Sequence, residues 1–235
     1  MTHIIEKIRE ELKSSRDEKT GILTQKFFKE SIQAYGVRNA VVHKIAKENF
    51  KSLSSNIKPL VFDHCETLWQ SGYLEEAFIA CDWSYFVRKQ YEPEDFQVFT
   101  HWINHYVTNW ATCDTLCNHT VGEFLIRYPE YIENLKELTK SSNRWAKRAA
   151  AVSLIIPARR GRFLNDILEI ADLLLTDHDD MVQKGYGWML KCASEAHQQI
   201  IFDFVVRNKA VMPRTSLRYA IEKMPLEMKT TAMRK

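Results

Sequence analysis

Glycine and proline are scarce in this chain, seven and six among 235 residues. So little turn-forming material excludes a collagen-like or linker-rich organisation and leaves little sequence for loops. The five cysteines, Cys65, Cys81, Cys113, Cys117 and Cys192, form an odd set without CxxC spacing. That argues against a disulfide framework and for small buried hydrophobes in a reducing cytoplasm. No stretch approaches the roughly 20 apolar residues of a membrane span. The N-terminal MTHIIEKIREELKSSRDEK mixes charge with apolar residues, unlike the apolar run of a signal peptide. A soluble, cytoplasmic protein that does not engage a membrane is therefore expected. GxSxG, Walker and dinucleotide-type glycine motifs are missing as well, and no cofactor is expected.

What the chain does have is 45% hydrophobic and 27% charged residues, the mixture of amphipathic helices. Apolar residues recur at helical spacing, as in Ile167, Leu168, Ile170, Ala171 and Leu174, and alternating strand patterns are hard to find. The pattern predicts an all-α chain of about a dozen helices, read as one domain over residues 1–235. Punctuation falls at Gly21, Gly36, Ser54-Ser55, Ser71-Gly72, Pro93, Pro129, Ser141-Ser142, Gly161, His178 and Pro213. Pro93 and Pro129 suit the first turn of a helix, where a missing N–H costs nothing. Short links between helices of similar length suggest stacked helical hairpins. A weak internal repeat agrees: Asn143 to Leu154 aligns with Asp179 to Leu190 at a shift of 36, and Trp110 precedes Trp145 by 35. This period lies near that of HEAT and armadillo arrays. It predicts a helical-repeat solenoid in which Arg148 and Lys184 occupy equivalent positions.

The net charge of +3 is unevenly placed. Residues 140–218 carry 13 Lys/Arg against 8 Asp/Glu, the rest 20 against 22. The imbalance fits either a polyanion-binding face or a chance excess. Trp110 and Asp114 share a helix face, as do Lys184 with Trp188 and Arg144 with Arg148. Trp145 lies three residues before Arg148. These cations and indoles suit a ligand-facing surface; equally, Trp110 and Trp188 suit a core and the cations a solvated face.

The segments Trp110-Ala-Thr-Cys-Asp114, Asn143-Arg-Trp-Ala-Lys-Arg148 and Val182-Gln-Lys-Gly-Tyr-Gly-Trp188 resemble, in order and spacing, three signature segments of the AlkD family of DNA alkylation repair glycosylases. The resemblance continues through Phe27-Phe28-Lys29, Tyr35-Gly36-Val37-Arg38, Leu68-Trp69 and Glu75-Glu76, and so covers nearly the whole chain. It implies a C-shaped array of HEAT-like repeats whose concave basic face binds double-stranded DNA carrying purines alkylated at N3 or N7. By matching position, Trp110 and Trp188 flank the sugar of the damaged nucleotide, Asp114 sits near its anomeric carbon and Arg148 contacts the backbone. Phe27, Arg144, Lys147 and Lys184 are the accompanying DNA-binding candidates. A cationic alkylpurine leaves without a general acid, so one carboxylate stabilising the oxocarbenium-like sugar suffices. The family is thought to leave the damaged base stacked, unlike most glycosylases.

Three features depart from the pattern. Phe27 stands where active members often carry tyrosine, and Ala111 where an aspartate is frequent. Pro157-Ala-Arg159-Arg160-Gly-Arg162 reads either as a basic finger suited to branched DNA or as an ordinary solvated loop. The alternative to a glycosylase is therefore a non-catalytic repeat protein that binds damaged or branched DNA, and a protein-binding scaffold is a third. A monomer is expected. No metal site is expected either: His101 and His105 lack the glutamate of a metalloprotease helix, Asp177 to Asp180 suit a helix cap, and the charge of Asp114 discourages a thiolate at Cys113.

Overall fold

The computed structural model describes residues 2–234, and the regular elements among them are all helical; one isolated bridge joins Gln33 and Tyr73. The packing divides into two compact units, with the boundary between Leu116 and Cys117.

The first unit contains α1 (Thr2–Ser14), α2 (Glu18–Phe27), α3 (Asn39–Lys51), α4 (Lys58–Trp69), α5 (Leu74–Phe86), α6 (Asp95–His105) and α7 (Trp110–Thr115). Its core is aromatic, with Trp83, Tyr91, Phe99 and Trp102 fully enclosed. Their polar atoms are satisfied where they are buried: Trp83 Nε1 donates to Ala46 O at 2.8 Å, Trp102 Nε1 to Glu66 Oε2 at 2.7 Å, and the Tyr91 hydroxyl to Ser84 O at 2.8 Å. Each such group left unpaired would cost about 1–3 kcal/mol.

Two buried carboxylates on α5 organise the chain ahead of α3. Glu75 Oε2 accepts from the backbone N–H of Tyr35 at 2.9 Å, and Oε1 accepts from Gly36 at 2.8 Å and Val37 at 3.0 Å. Glu76 is paired with Arg9 at 3.0 Å and accepts from the Tyr35 hydroxyl at 2.7 Å. Gly36 has φ +83°, and a Cβ there would lie 3.0 Å from the Gly21 Cα, so a left-handed residue and a close approach coincide. Helix α2 is carried on this loop. It buries none of its residues, and Asp17, which caps it, donates its own N–H to Gly36 O at 3.0 Å.

The second unit begins within a π-helical turn, Leu116–Val121, and contains α8 (Gly122–Arg127), α9 (Ile132–Glu137), α10 (Arg144–Val152), α11 (Ile155–Arg159), α12 (Leu164–Leu173), α13 (Asp180–Ala193), α14 (Gln198–Asn208), α15 (Arg214–Ala220) and α16 (Leu226–Met233). α13 lies between α10 and α15 and packs on both. At Gly187 a Cβ would meet Ser216 O and Tyr219 Cβ at 2.8 Å each, so α13 and α15 approach backbone to backbone there.

Six helices share one register. α3, α5, α7, α10, α13 and α15 begin at Asn39, Leu74, Trp110, Arg144, Asp180 and Arg214, at intervals of 34 to 36 residues. Three of them open behind a side-chain cap: Asn109 accepts from Thr112 N at 3.0 Å, Asn143 from Trp145 N at 2.9 Å, and Asp179 from Met181 N at 2.8 Å. These caps satisfy N–H groups that a helix start otherwise leaves orphaned. The fifth residue after each cap is Asp114, Arg148 and Lys184, so the expected equivalence of Arg148 and Lys184 extends to Asp114. Trp110 aligns with Arg144, not with Trp145.

The expected punctuation needs correcting at two places. Gly21 lies inside α2, where its missing side chain admits Gly36 instead of ending the helix. Pro93 lies in the turn before α6, whereas Pro129 does open a helical turn, Pro129–Tyr131. Among the described residues there are sixteen α-helical segments, where about a dozen helices were expected.

Candidate nucleic-acid interface

Among the six tryptophans, Trp69, Trp83, Trp102 and Trp145 are buried and belong to the core. Trp110 and Trp188, the two nominated from the sequence, remain partly exposed. The core-tryptophan alternative thus describes the other four.

In the first unit, Trp110 begins α7 directly behind its Asn109 cap, and Asp114 follows one turn later. The Trp110 ring stacks on Phe28 at 5.5 Å and leans on Phe27 at 5.5 Å. Phe27 is the last residue of α2 and is 72% exposed. Leu23, Phe27, Phe28, Phe78, Trp110 and Ala111 line an open cleft of about 280 Å³. Ala111 contributes apolar wall where a carboxylate would have charged it. Asp114 is 9% exposed, a largely enclosed carboxylate on the same short helix as the partly exposed indole. A larger cavity of about 660 Å³, lined by residues such as Arg16, Asp17, Gln25 and Tyr35, contains none of the nominated residues.

In the second unit the cations are more engaged than the sequence suggested. Arg148 is buried, its stem packs on Gly185, and its Nη1 donates to Met181 O at 2.5 Å. A Cβ at Gly185 would stand 3.2 Å from Arg148 Cγ, so the glycine makes room for the arginine. Arg144 is paired with Asp179, its Nη2 donating to Oδ1 at 3.1 Å, and lies 5.1 Å from the Trp145 ring centroid. Lys147 reaches Asp177 at 2.7 Å, and Lys184 reaches Asp180 at 2.7 Å. Asp179 caps α13 as expected, yet the run Asp177 to Asp180 also neutralises three of the four cations proposed for this wall. The sequence pairs Trp145 with Arg148, and the cation over its ring is Arg144. Lys184 turns to Asp180 instead of Trp188.

The basic stretch after Pro157 is a compact turn, not a finger. Arg159 closes α11, and Arg160, Gly161 and Arg162 fold back with N–H donation to Pro157 O, Ala158 O and Pro157 O. Arg159 faces Glu195 at 3.6 Å, while Arg160 and Arg162 are exposed. Phe163, at φ +61°, is a non-glycine residue in the left-handed region and leads directly into α12.

The carboxylates of Glu133, Asp166 and Glu169 converge within 4.8 Å of one another. The Lys136 ammonium occupies that convergence, at 2.7, 3.0 and 2.5 Å from them. Burial disfavours its charge, but the three hydrogen bonds outweigh this and hold Lys136 above the usual lysine value. His101 and His105 stack on each other at 4.3 Å, and His105 Nδ1 is 2.9 Å from His101 O. All five cysteines are buried thiols, and burial pushes Cys65 and Cys192 up from the usual value. No helix among the described residues is long and apolar enough to cross a membrane.

A chain built wholly of helical hairpins, with equivalent helices every 34 to 36 residues, is a helical-repeat protein. It belongs to the DNA alkylation repair enzyme family, whose model matches residues 8–224. The solved structure of a predicted DNA alkylation repair enzyme from Enterococcus faecalis is similar to it with a TM-score of 0.79, over 90% of this chain and 98% of that one, at 15% identity. Among curated proteins none matched the sequence.

Proposed function

We propose that this member of the family is an AlkD-like glycosylase that hydrolyses the N-glycosidic bond of cationic N3- or N7-alkylated purines in duplex DNA. The observation that carries the reading is the division of the tryptophans, four in the core and two left at the surface, with Trp110 one turn from Asp114 on a capped helix. The alkylated base carries a positive charge and leaves with the electron pair of the C1′–N bond, so no side chain has to protonate it. Positive charge then develops on the sugar. Asp114 stabilises it electrostatically, and the Trp110 and Trp188 faces add quadrupole attraction. Water supplies the oxygen that bonds to C1′, and its proton passes to solvent. Arg148 and Lys184 serve the backbone.

The test incubates methylated duplex with the protein and with Asp114→Asn, and measures released N7-methylguanine and N3-methyladenine. Release by the unmutated protein, reduced about 10²–10³-fold in the variant, is expected, as for loss of one preorganised electrostatic group. No release by the unmutated protein removes the enzymatic reading.

The exposed pair Arg160 and Arg162 favours a second reading, a non-catalytic binder of branched DNA. Equal affinity for a linear duplex and a four-way junction would count against it.

A further inference from the structure

The register of the six helices continues past the residues nominated from the sequence. α15 begins at Arg214, as α10 begins at Arg144, and the position occupied by Arg148 on α10 and Lys184 on α13 is Arg218 on α15. The helices hold this register physically. On α10 and α13, Gly185 faces Arg148 and Val152; on α13 and α15, Tyr219 sits against Gly187. In both pairs, the sixth residue of the later helix rests within one turn of the same part of the earlier one.

The three equivalent cations differ in what lies over them. α13 covers Arg148, which is 5% exposed and bonded to Met181 O. Lys184 is partly covered and tied to Asp180. α16, which follows α15, begins at Leu226 and lies outside the register. Arg218 is exposed beside the buried Leu217, and among the described residues no carboxylate lies within ion-pair distance of it. Arg214, one turn earlier, donates to Met233 O at 3.2 Å.

We propose that Arg218 is a phosphate-contacting residue, the exposed position of a cationic row in the second unit, with Arg214 beside it. The ligand chemistry is the sugar–phosphate backbone of duplex DNA, and the proposal rests on the nucleic-acid-binding reading given above. Packed helices lie about 8–10 Å apart, and a strand offers one phosphate per about 3.4 Å of axis. Successive positions of the row are therefore spaced by two or three phosphates, and Arg218 is the exposed one of the three. A contact of this kind is independent of base sequence and of damage.

Binding of the full chain to an unmodified duplex of about 20 base pairs, followed by anisotropy from about 50 to 200 mM salt, tests it. Loss of one phosphate contact makes the slope of log K against log salt shallower by about 0.9. Arg218→Gln should show that change equally on two unrelated sequences, Arg218→Lys should retain the parental slope, and Lys229→Gln, on α16 outside the register, should leave it unaltered. An unchanged slope in Arg218→Gln, or an equal change in Lys229→Gln, overturns the assignment while leaving the function standing. Absence of salt-sensitive duplex binding by the parent protein overturns both. Since Arg218 is exposed, thermal melts of the variants should coincide with that of the parent.

Discussion

Replacing Glu75 by glutamine probes the joint on which α2 is carried. In the native chain the two carboxylate oxygens accept three backbone N–H groups, those of Tyr35, Gly36 and Val37, and the side chain is 2% exposed. The glutamine amide retains one oxygen, best placed for Gly36 and Val37, and turns its NH₂ toward the Tyr35 N–H. Two donors then face each other without water, at a cost of about 1–3 kcal/mol. The two surviving bonds lose their charge assistance and about half their strength. Together these effects amount to about 3 kcal/mol, a sizeable share of the 5–15 kcal/mol that holds a domain folded. Urea denaturation reports the total. Amide exchange at Gly36 and Val37 reports the site, where protection should fall about 100-fold if the loop opens locally. A loss below about 0.5 kcal/mol, with Gly36 and Val37 as protected as before, would refute the view that this carboxylate holds the loop. The loop also supports α2, so the variant should loosen Phe27 against Trp110 and weaken the proposed excision more than its distance from Asp114 would suggest.

Gly187→Ala gains about 1 kcal/mol of helix propensity but forces a Cβ to 2.8 Å from Ser216 O and Tyr219 Cβ. Overpacking costs about 1–3 kcal/mol, so a net loss is expected in a melt, and a more stable variant would contradict the close approach. Lys136→Ala leaves Glu133, Asp166 and Glu169 facing one another. Because two of these carboxylates are mostly solvated, the loss should be about 1–2 kcal/mol; added calcium should restore stability in the variant but not in the parent, as differential scanning fluorimetry will show. His64 is buried beside Trp83, and desolvation lowers its pKa from 6.5. The fold therefore keeps it neutral, and stability is complete above pH 6.5 and is lost as the pH falls below it, toward the depressed folded value. His64→Phe should flatten the pH dependence of the denaturation midpoint between about pH 7 and 5; an unchanged profile would assign that dependence to other groups.

The helical class and the repeat were legible because amphipathic spacing and the caps Asn143 and Asp179 are written locally. The full register was not, because its six helices begin with Asn, Leu, Trp, Arg, Asp and Arg, and only their spacing repeats. Gly21 misled for a related reason. A glycine signals either a break or a close approach, and the partner that decides, Gly36, is 15 residues away. At the candidate site, Trp110 and Asp114 could be placed on one helix from their spacing. The engagement of Arg144, Lys147 and Lys184 could not, since two of the three aspartates that bind them lie 30 or more residues along the chain. Glu75 and Glu76 were noted as part of a resemblance, but their buried hydrogen-bonding role depends on a loop about 40 residues earlier.

Asp177, Asp179 and Asp180 act as counterions bolted to the wall they neutralise. When a phosphate displaces a mobile sodium ion, the liberated ion gains the freedom of bulk solvent, and that gain makes association salt-sensitive. A displaced aspartate goes nowhere. Arg144, Lys147 and Lys184 can therefore exchange carboxylate for phosphate with little net release, and a salt titration will count fewer cations than the wall contains.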